Sequence, residues 1–143
     1  MKNNKLLAKA IKIVAEEFEN SYDKGGQPYV LHCLWVMNKV RHLGWEYMIV
    51  AVLHDLIEDT DWTYQMLKDK GFPEKIIQSL KLLDFRNVDY IKQIHKVKKD
   101  KIAREVKMRD IEHNSKVTRL KGIKEKDIKR LEKYSKAYLI LKN

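Results

Sequence analysis

At 143 residues the chain falls within the roughly 100–200 residues of a typical domain, so residues 1–143 read as a single domain large enough to bury a core without staples. Its one cysteine, Cys33, excludes an intrachain disulfide, and its longest apolar run, Tyr47 to Leu53, is far short of the ~20 residues that span a bilayer. Thirty Lys and Arg against twenty Asp and Glu leave a formal charge of +10, a surface that attracts polyanions without choosing among them.

Taken in chain order, residues 2–18 carry Leu6, Leu7, Ala10, Ile13, Val14 and Phe18 at helical spacing. Asn20 to Pro28 breaks that pattern, with Gly25-Gly26 as its punctuation. A second helix is predicted from Tyr29 to Leu43 and stops at Gly44. A third, Trp45 to Glu58, is apolar on all sides at Tyr47–Leu53 and therefore central. Thr60 or Asp61 is expected to cap a short helix ending at Gly71, and Pro73 marks the start of another that ends near Asp84. Further amphipathic segments follow at 90–98, 101–114 and 126–142. The last repeats Ile128, Leu131, Tyr134, Tyr138 and Leu141, a stripe that reads as core packing. No alternating run suggests a hairpin, so the expected fold is all-α. Lys9 and Lys12 interrupt the N-terminal apolar stretch and no small-residue cleavage site follows, which makes the cytoplasm the expected location. No basic stripe interleaved with aromatics accompanies the charge, so neither nucleic acid nor membrane is the expected partner, and the sequence carries no signal of oligomeric state.

The chemistry concentrates in His54-Asp55-Leu56-Ile57-Glu58-Asp59, directly after the most apolar run. On a continuous helix His54 and Glu58 share a face, as do Asp55 and Asp59. Unit charges ~4 Å apart at an effective dielectric of ~20 repel by about 4 kcal/mol, and a helix C-terminus disfavours anions. A divalent metal offsets both penalties. A frayed helix end with its acids in water is the simpler alternative, and the apolar lead-in with the adjacent His argues against it. His32 lies among apolar residues on the second helix, and Asp110 interrupts the face set by Ala103 and Val106. Each alone would be a hydrogen-bonded core histidine or a surface acid. Together His32, His54, Asp55 and Asp110 offer two imidazoles and two carboxylates from three helices. That set suits Mn²⁺, Fe or Mg²⁺ better than a closed zinc site.

The order H…HD…D resembles that of the HD-domain metal phosphohydrolases, an all-helical superfamily with its metal site between central helices. HDLIEDT is similar to the HDxxEDT motif of the Rel/SpoT-type alarmone hydrolases. KGGQPYVLH resembles their lead-in to the first histidine, and VKMRDIEHN their third motif, through Lys107, Asp110, His113 and Asn114. The resemblance runs from about residue 20 to 120 and implies a small, hydrolase-only member with a phage-like, Lys-rich look. It further implies a mononuclear Mn²⁺ site made by His32, His54, Asp55 and Asp110, other divalent ions being possible ligands of the same set. Glu58 and Asp59 would position or deprotonate the attacking water. Asn114, Lys24 and Lys107 would contact the sugar and phosphates of a phosphorylated nucleotide. The implied reaction removes the 3′-pyrophosphate from guanosine tetra- or pentaphosphate.

The sequence departs from the family at three positions. The family's base-stacking Arg, nine residues before the first metal histidine, is replaced by Asp23, which neither stacks as a guanidinium does nor favours a phosphate. Tyr22 beside it offers a stacking face instead. Ile111 stands where an Arg usually follows the third-motif Asp, and Cys33 where a proline is frequent, the latter as a small buried residue. Two alternatives follow: the same chemistry on an adenine alarmone, NADPH or a nucleoside monophosphate, and a non-enzymatic basic binding protein on an HD scaffold. The intact ligand set argues against the second.

Overall fold

The computed structural model describes residues 2–143. Its helices are α1 (Lys2–Glu17), α2 (Val30–Lys39), α3 (Trp45–Leu53), α4 (Leu56–Asp59), α5 (Tyr64–Asp69), α6 (Glu74–Leu82), α7 (Tyr90–Lys98), α8 (Lys101–Asn114) and α9 (Glu125–Lys142). Two 3₁₀ turns join them, Arg41–Leu43 and Val117–Arg119. Among the described residues the only strand-like feature is an isolated antiparallel bridge between Tyr22 and Pro28, so the all-α expectation is borne out. No helix among them is long and apolar enough to cross a membrane.

The apolar helix α3 is central, as its lack of a polar face requires: Ile49 to Leu53 are all buried, and α3 packs against α1, α2, α6 and α8. Around it close Val14 and Phe18 of the N-terminal segment, Val36 of α2, Ile77 of α6 and Val106 of α8. Helix α9 lies across α7 and α8. Its stripe divides: Leu141 is buried and Tyr134 and Tyr138 pack half-buried against the core, whereas Ile128 is exposed. The expectation of core packing along this helix therefore holds from Tyr134 onward and fails at Ile128, and Tyr134 also borders a cavity.

Three predicted boundaries move for local reasons. The second helix ends at Lys39 rather than Leu43, where Val40 leaves helical geometry at φ −103°, ψ 7° and Arg41–Leu43 forms a 3₁₀ turn. The segment 45–58 is not one helix but breaks at His54–Asp55. The His54 Nδ1–H donates to the Ala51 carbonyl at 2.6 Å, and Asp55 relaxes to φ −100°, ψ −2°. The short helix before Gly71 is capped by Thr63, whose hydroxyl accepts from the Met66 amide, and not by Thr60 or Asp61. Thr60 is engaged elsewhere, donating to the Leu56 carbonyl and accepting from the Trp62 amide.

Candidate functional site

The break at His54–Asp55 has a purpose at the next level. Consecutive side chains on a regular helix diverge by about 100°, so a continuous helix aims His54 and Asp55 apart. With the turn loosened, His54 Nε2 and Asp55 Oδ2 come within 3.0 Å. His32 from α2 and Asp110 from α8 complete the group. His32 Nε2 lies 3.0 Å from Asp110 Oδ1, 3.3 Å from His54 Nε2 and 3.5 Å from Asp55 Oδ2. The structure thus brings together all four residues named from the sequence, with one ligand atom from each inside a 4.8 Å sphere of mutual distances. Donor atoms about 2.1 Å from a shared ion stand about 3.0–3.4 Å apart at octahedral or tetrahedral angles. The observed spacings and the N₂O₂ donor set fit a divalent metal.

Each of these side chains is oriented by a second partner. The Ala51 carbonyl holds the hydrogen of His54 on Nδ1 and leaves the Nε2 lone pair free. His32 Nδ1 meets His113 Nδ1 at 2.7 Å, so His32 keeps its Nε2 lone pair only if His113 accepts. Burial, with the Arg119, His32 and Lys116 charges, pulls His113 down to about 3, which keeps it neutral for that task. His113 stacks on the Trp35 ring at a centroid distance of 4.2 Å and meets His32 edge to edge, the two imidazole planes only 10° apart. The Tyr29 hydroxyl donates to Asp55 Oδ2 at 2.5 Å. Lys107 Nζ reaches Asp110 Oδ2 at 3.1 Å, and the Asn114 amide donates to Asp110 Oδ1 at 2.9 Å. Burial pushes the Asp110 carboxyl up, but Lys107 and the imidazoles outweigh it and hold it well below the ordinary range. Burial likewise disfavours the His54 imidazolium, and the Asp55 and Asp110 charges overcome it and raise its pKa. Protons and a divalent ion would therefore compete for one set of atoms.

The cluster opens on a cavity of about 270 Å³ lined by His54, Asp55, Glu58, Lys107, Asp110 and Lys133, with Phe85 and Tyr90 as its aromatic wall. Glu58 is held there by the Phe85 amide, which donates to its Oε1 at 2.6 Å. A larger cavity, about 450 Å³, adjoins across Asn114 and Tyr134, which line both. Its walls include Tyr22, Lys24, Lys116, Arg119 and Arg130, together with Asp59. Glu58 and Asp59, adjacent in sequence, thus serve different cavities. Partial desolvation and the Asp55 charge push the Asp59 carboxyl up to about 6.

Among the residues expected to contact substrate, Tyr22 and Lys24 stand exposed on the larger cavity, whereas Lys107 and Asn114 are tied to Asp110. Asp23 does not face the cavity as a bare charge. Its Oδ1 accepts from the Gly25 and Gln27 amides at 2.9 Å each, and its Oδ2 receives Arg119 Nη2 at 3.0 Å. Arg119 also donates to the His113 carbonyl and Asn114 Oδ1. A Cβ on Gly25 would lie 1.9 Å from the Arg119 carbonyl oxygen, so only glycine lets the two backbones meet. The sequence alone assigned no part in the site to Tyr29, His113, Arg119, Arg130 or Lys133, and gave Tyr134 only a packing role. Arg130, Lys133 and Tyr134 share a face of α9 at i, i+3, i+4 spacing, which was the available signal.

No family model matches the chain. It is 37% identical over 75 residues to the guanosine-3′,5′-bis(diphosphate) 3′-pyrophosphohydrolase of Aquifex aeolicus, covering 43% of this chain and 11% of that protein. It is 35% identical over 60 residues to the protein of the same name from Haemophilus influenzae, covering 41% and 9%. A probable GTP pyrophosphokinase of Mycobacterium leprae matches at 29% over 70 residues, covering 48% and 9%. The chain therefore spans about a tenth of the length of the curated relatives it matches. A solved structure of a metazoan ortholog of SpoT that hydrolyses ppGpp superposes with a TM-score of 0.80, covering 96% of this chain and 86% of that one at 18% identity. The fold is shared with that structure, and the resemblance to Rel/SpoT-type hydrolases read from the three motifs is borne out.

Proposed function

We propose that this chain is a metal-dependent phosphohydrolase that removes the 3′-pyrophosphate of guanosine tetra- or pentaphosphate, leaving GDP or GTP. The observation that carries the reading is the buried His32–His54–Asp55–Asp110 cluster opening on a cavity that also holds a free carboxylate oxygen of Glu58. The nitrogen and oxygen donor set with open positions favours Mn²⁺. When bound, the ion supplies a Lewis acid for the phosphoryl oxygens and a more acidic bound water.

The protein's own groups divide the remaining work. The larger cavity, with its aromatic walls and four cations, has room for a nucleoside and its 5′-phosphates, since drug-sized ligands occupy about 300–1,000 Å³. Glu58 takes a proton from the water whose oxygen bonds to the 3′-linked phosphorus. The bond from that phosphorus to the 3′-oxygen breaks, and Asp59 stands on the nucleoside side, where the departing oxygen needs a proton. Tyr29, Lys107 and Asn114 hold the carboxylates in place. The test is a turnover screen of Mn²⁺-reconstituted protein against 3′-phosphorylated and 3′-pyrophosphorylated nucleotides. Release of pyrophosphate from the guanine 3′-pyrophosphates is expected. Preference for an adenine alarmone, NADPH or a monophosphate moves the reading to another substrate, and no turnover on the whole panel overturns it.

A further inference from the structure

The smaller cavity holds two ammonium groups of different standing. That of Lys107 is taken by Asp110 at 3.1 Å. Lys133, from α9, makes no ion pair among the described residues and instead lies over the Tyr90 and Tyr134 rings, 4.5 and 5.6 Å from their centroids. Arg130, one turn before it, is held by Asp127 and faces the other cavity. A solvated lysine is the simplest use for an exposed position such as Lys133. Two observations oppose it here: the side chain is laid against two aromatic faces, and the nearest charges are those of Lys107 and Arg130, which repel it. Burial together with these cations lowers its pKa.

Resting on the hydrolase reading, we infer that Lys133 is the anchor for the outer phosphate of the 3′-pyrophosphate, and that the smaller cavity is the leaving pyrophosphate's subsite. At about 270 Å³ the cavity is below the size of a nucleotide site and adequate for a compact anion. It is lined by His54, Asp55 and Asp110, so a phosphate bound at the ion has its outer neighbour in this same space. Charge balance agrees. The carboxylates of Asp55, Glu58 and Asp110 are offset by a divalent ion together with Lys107. Lys133 is then the cation left to meet added negative charge. A 3′-monophosphate has no outer phosphate to offer it, so Lys133 discriminates between the two ester classes.

The experiment is calorimetric titration of Mn²⁺-loaded full-length protein with inorganic pyrophosphate, orthophosphate and GDP, for wild type, Lys133→Met and Lys133→Arg. Methionine keeps an apolar stem over the rings and removes the charge. Lys133→Met is expected to weaken pyrophosphate binding about tenfold or more, as for a lost charge-assisted hydrogen bond, while GDP affinity stays within about twofold. Lys133→Arg is expected to restore most of the loss. If the methionine variant does not fold, Lys133→Gln makes the same comparison. Unchanged pyrophosphate affinity, an equal loss for GDP, or no pyrophosphate binding by wild type overturns the inference. Turnover of the guanine 3′-pyrophosphate is read separately on the same wild-type preparation. A protein that binds pyrophosphate through Lys133 yet hydrolyses nothing overturns the hydrolase reading and leaves the subsite standing.

Discussion

The metal cluster and the wall of the larger cavity are built on opposite plans. Every ligand of the cluster comes from or borders a helix and is fixed by a second partner: His54 by the Ala51 carbonyl, His32 by His113, Asp55 by Tyr29, Asp110 by Lys107 and Asn114. The wall has Tyr22 at 66% exposure and Lys24 and Lys116 in solvent, and it is drawn from the 20–28 loop, the Val117–Arg119 turn and α9. What holds the loop and the turn together is the Asp23–Arg119 pair and the backbone contact at Gly25. On the proposed function, the difference assigns bond-breaking to the rigid part and substrate choice to the part that can vary. Asn114 joins them, donating to Asp110 on one side and accepting from Arg119 on the other.

The largest effects belong to the cluster. Asp55→Ala or Asp110→Ala is expected to lose both bound metal and hydrolysis, because each removes a charged ligand; elemental analysis of the purified protein reads the metal. Asp55 is the cleaner site. Asp110→Ala also strands Lys107, and breaking a buried pair costs about 3–5 kcal/mol. Full metal content in either variant would place the ion elsewhere. Glu58→Gln separates chemistry from binding. The amide keeps the volume and the acceptor for Phe85 but cannot take a proton, so turnover should fall roughly 10²–10⁴-fold with metal retained. Near-native turnover would pass the role to Asp59.

Between the two regimes stands His113, which lies outside the four-residue cluster and sets the tautomer of His32 within it. His113→Ala is expected to lower metal affinity by about 10–100-fold, the usual cost of an outer-shell partner. Metal titration followed by activity at saturating Mn²⁺ distinguishes this from a catalytic role, since excess ion should recover most of the turnover.

How much of this was legible in the sequence follows the same division. Helical periodicity located α1, α6, α7 and α8 closely, and the apolar run marked α3 as central. The four residues of the cluster were legible because a His-Asp pair after an apolar run is an unusual pattern with a definite chemical remedy. The break at His54–Asp55 was not, because it depends on a side chain competing for the Ala51 carbonyl, which periodicity does not encode. The start of the α9 stripe was misread because an apolar residue at helical spacing looks alike whether it meets the core or solvent, as Ile128 does. The Asp23–Arg119 pair joins residues 96 apart, and no local pattern announces it.

That pair reverses an expectation drawn from sequence alone. With Asp23 taken as a carboxylate facing a polyanion, Asp23→Arg should tighten the guanine substrate by adding a planar cation. In the structure the carboxylate is already spent on two loop amides and on Arg119, so the substitution removes three interactions and sets two guanidinium groups against each other. The 20–28 loop loses its closure while the cluster, which Asp23 does not touch, is left intact. Asp23→Arg is therefore expected to raise the guanine KM about three- to tenfold, the scale of one or two lost hydrogen bonds, with kcat little changed. Pairing it with Arg119→Asp should recover part of that rise, since the ion pair re-forms in reverse but the Gly25 and Gln27 amides regain no acceptor. Steady-state kinetics on all three proteins decides between the regions. A lower KM in the single variant would mean that the side chain at position 23 swings out over the nucleoside. A fall in kcat of the same size as the rise in KM would mean that the loop reaches the metal cluster through Arg119 and Asn114, and the separation between rigid chemistry and variable choice would fail at that link.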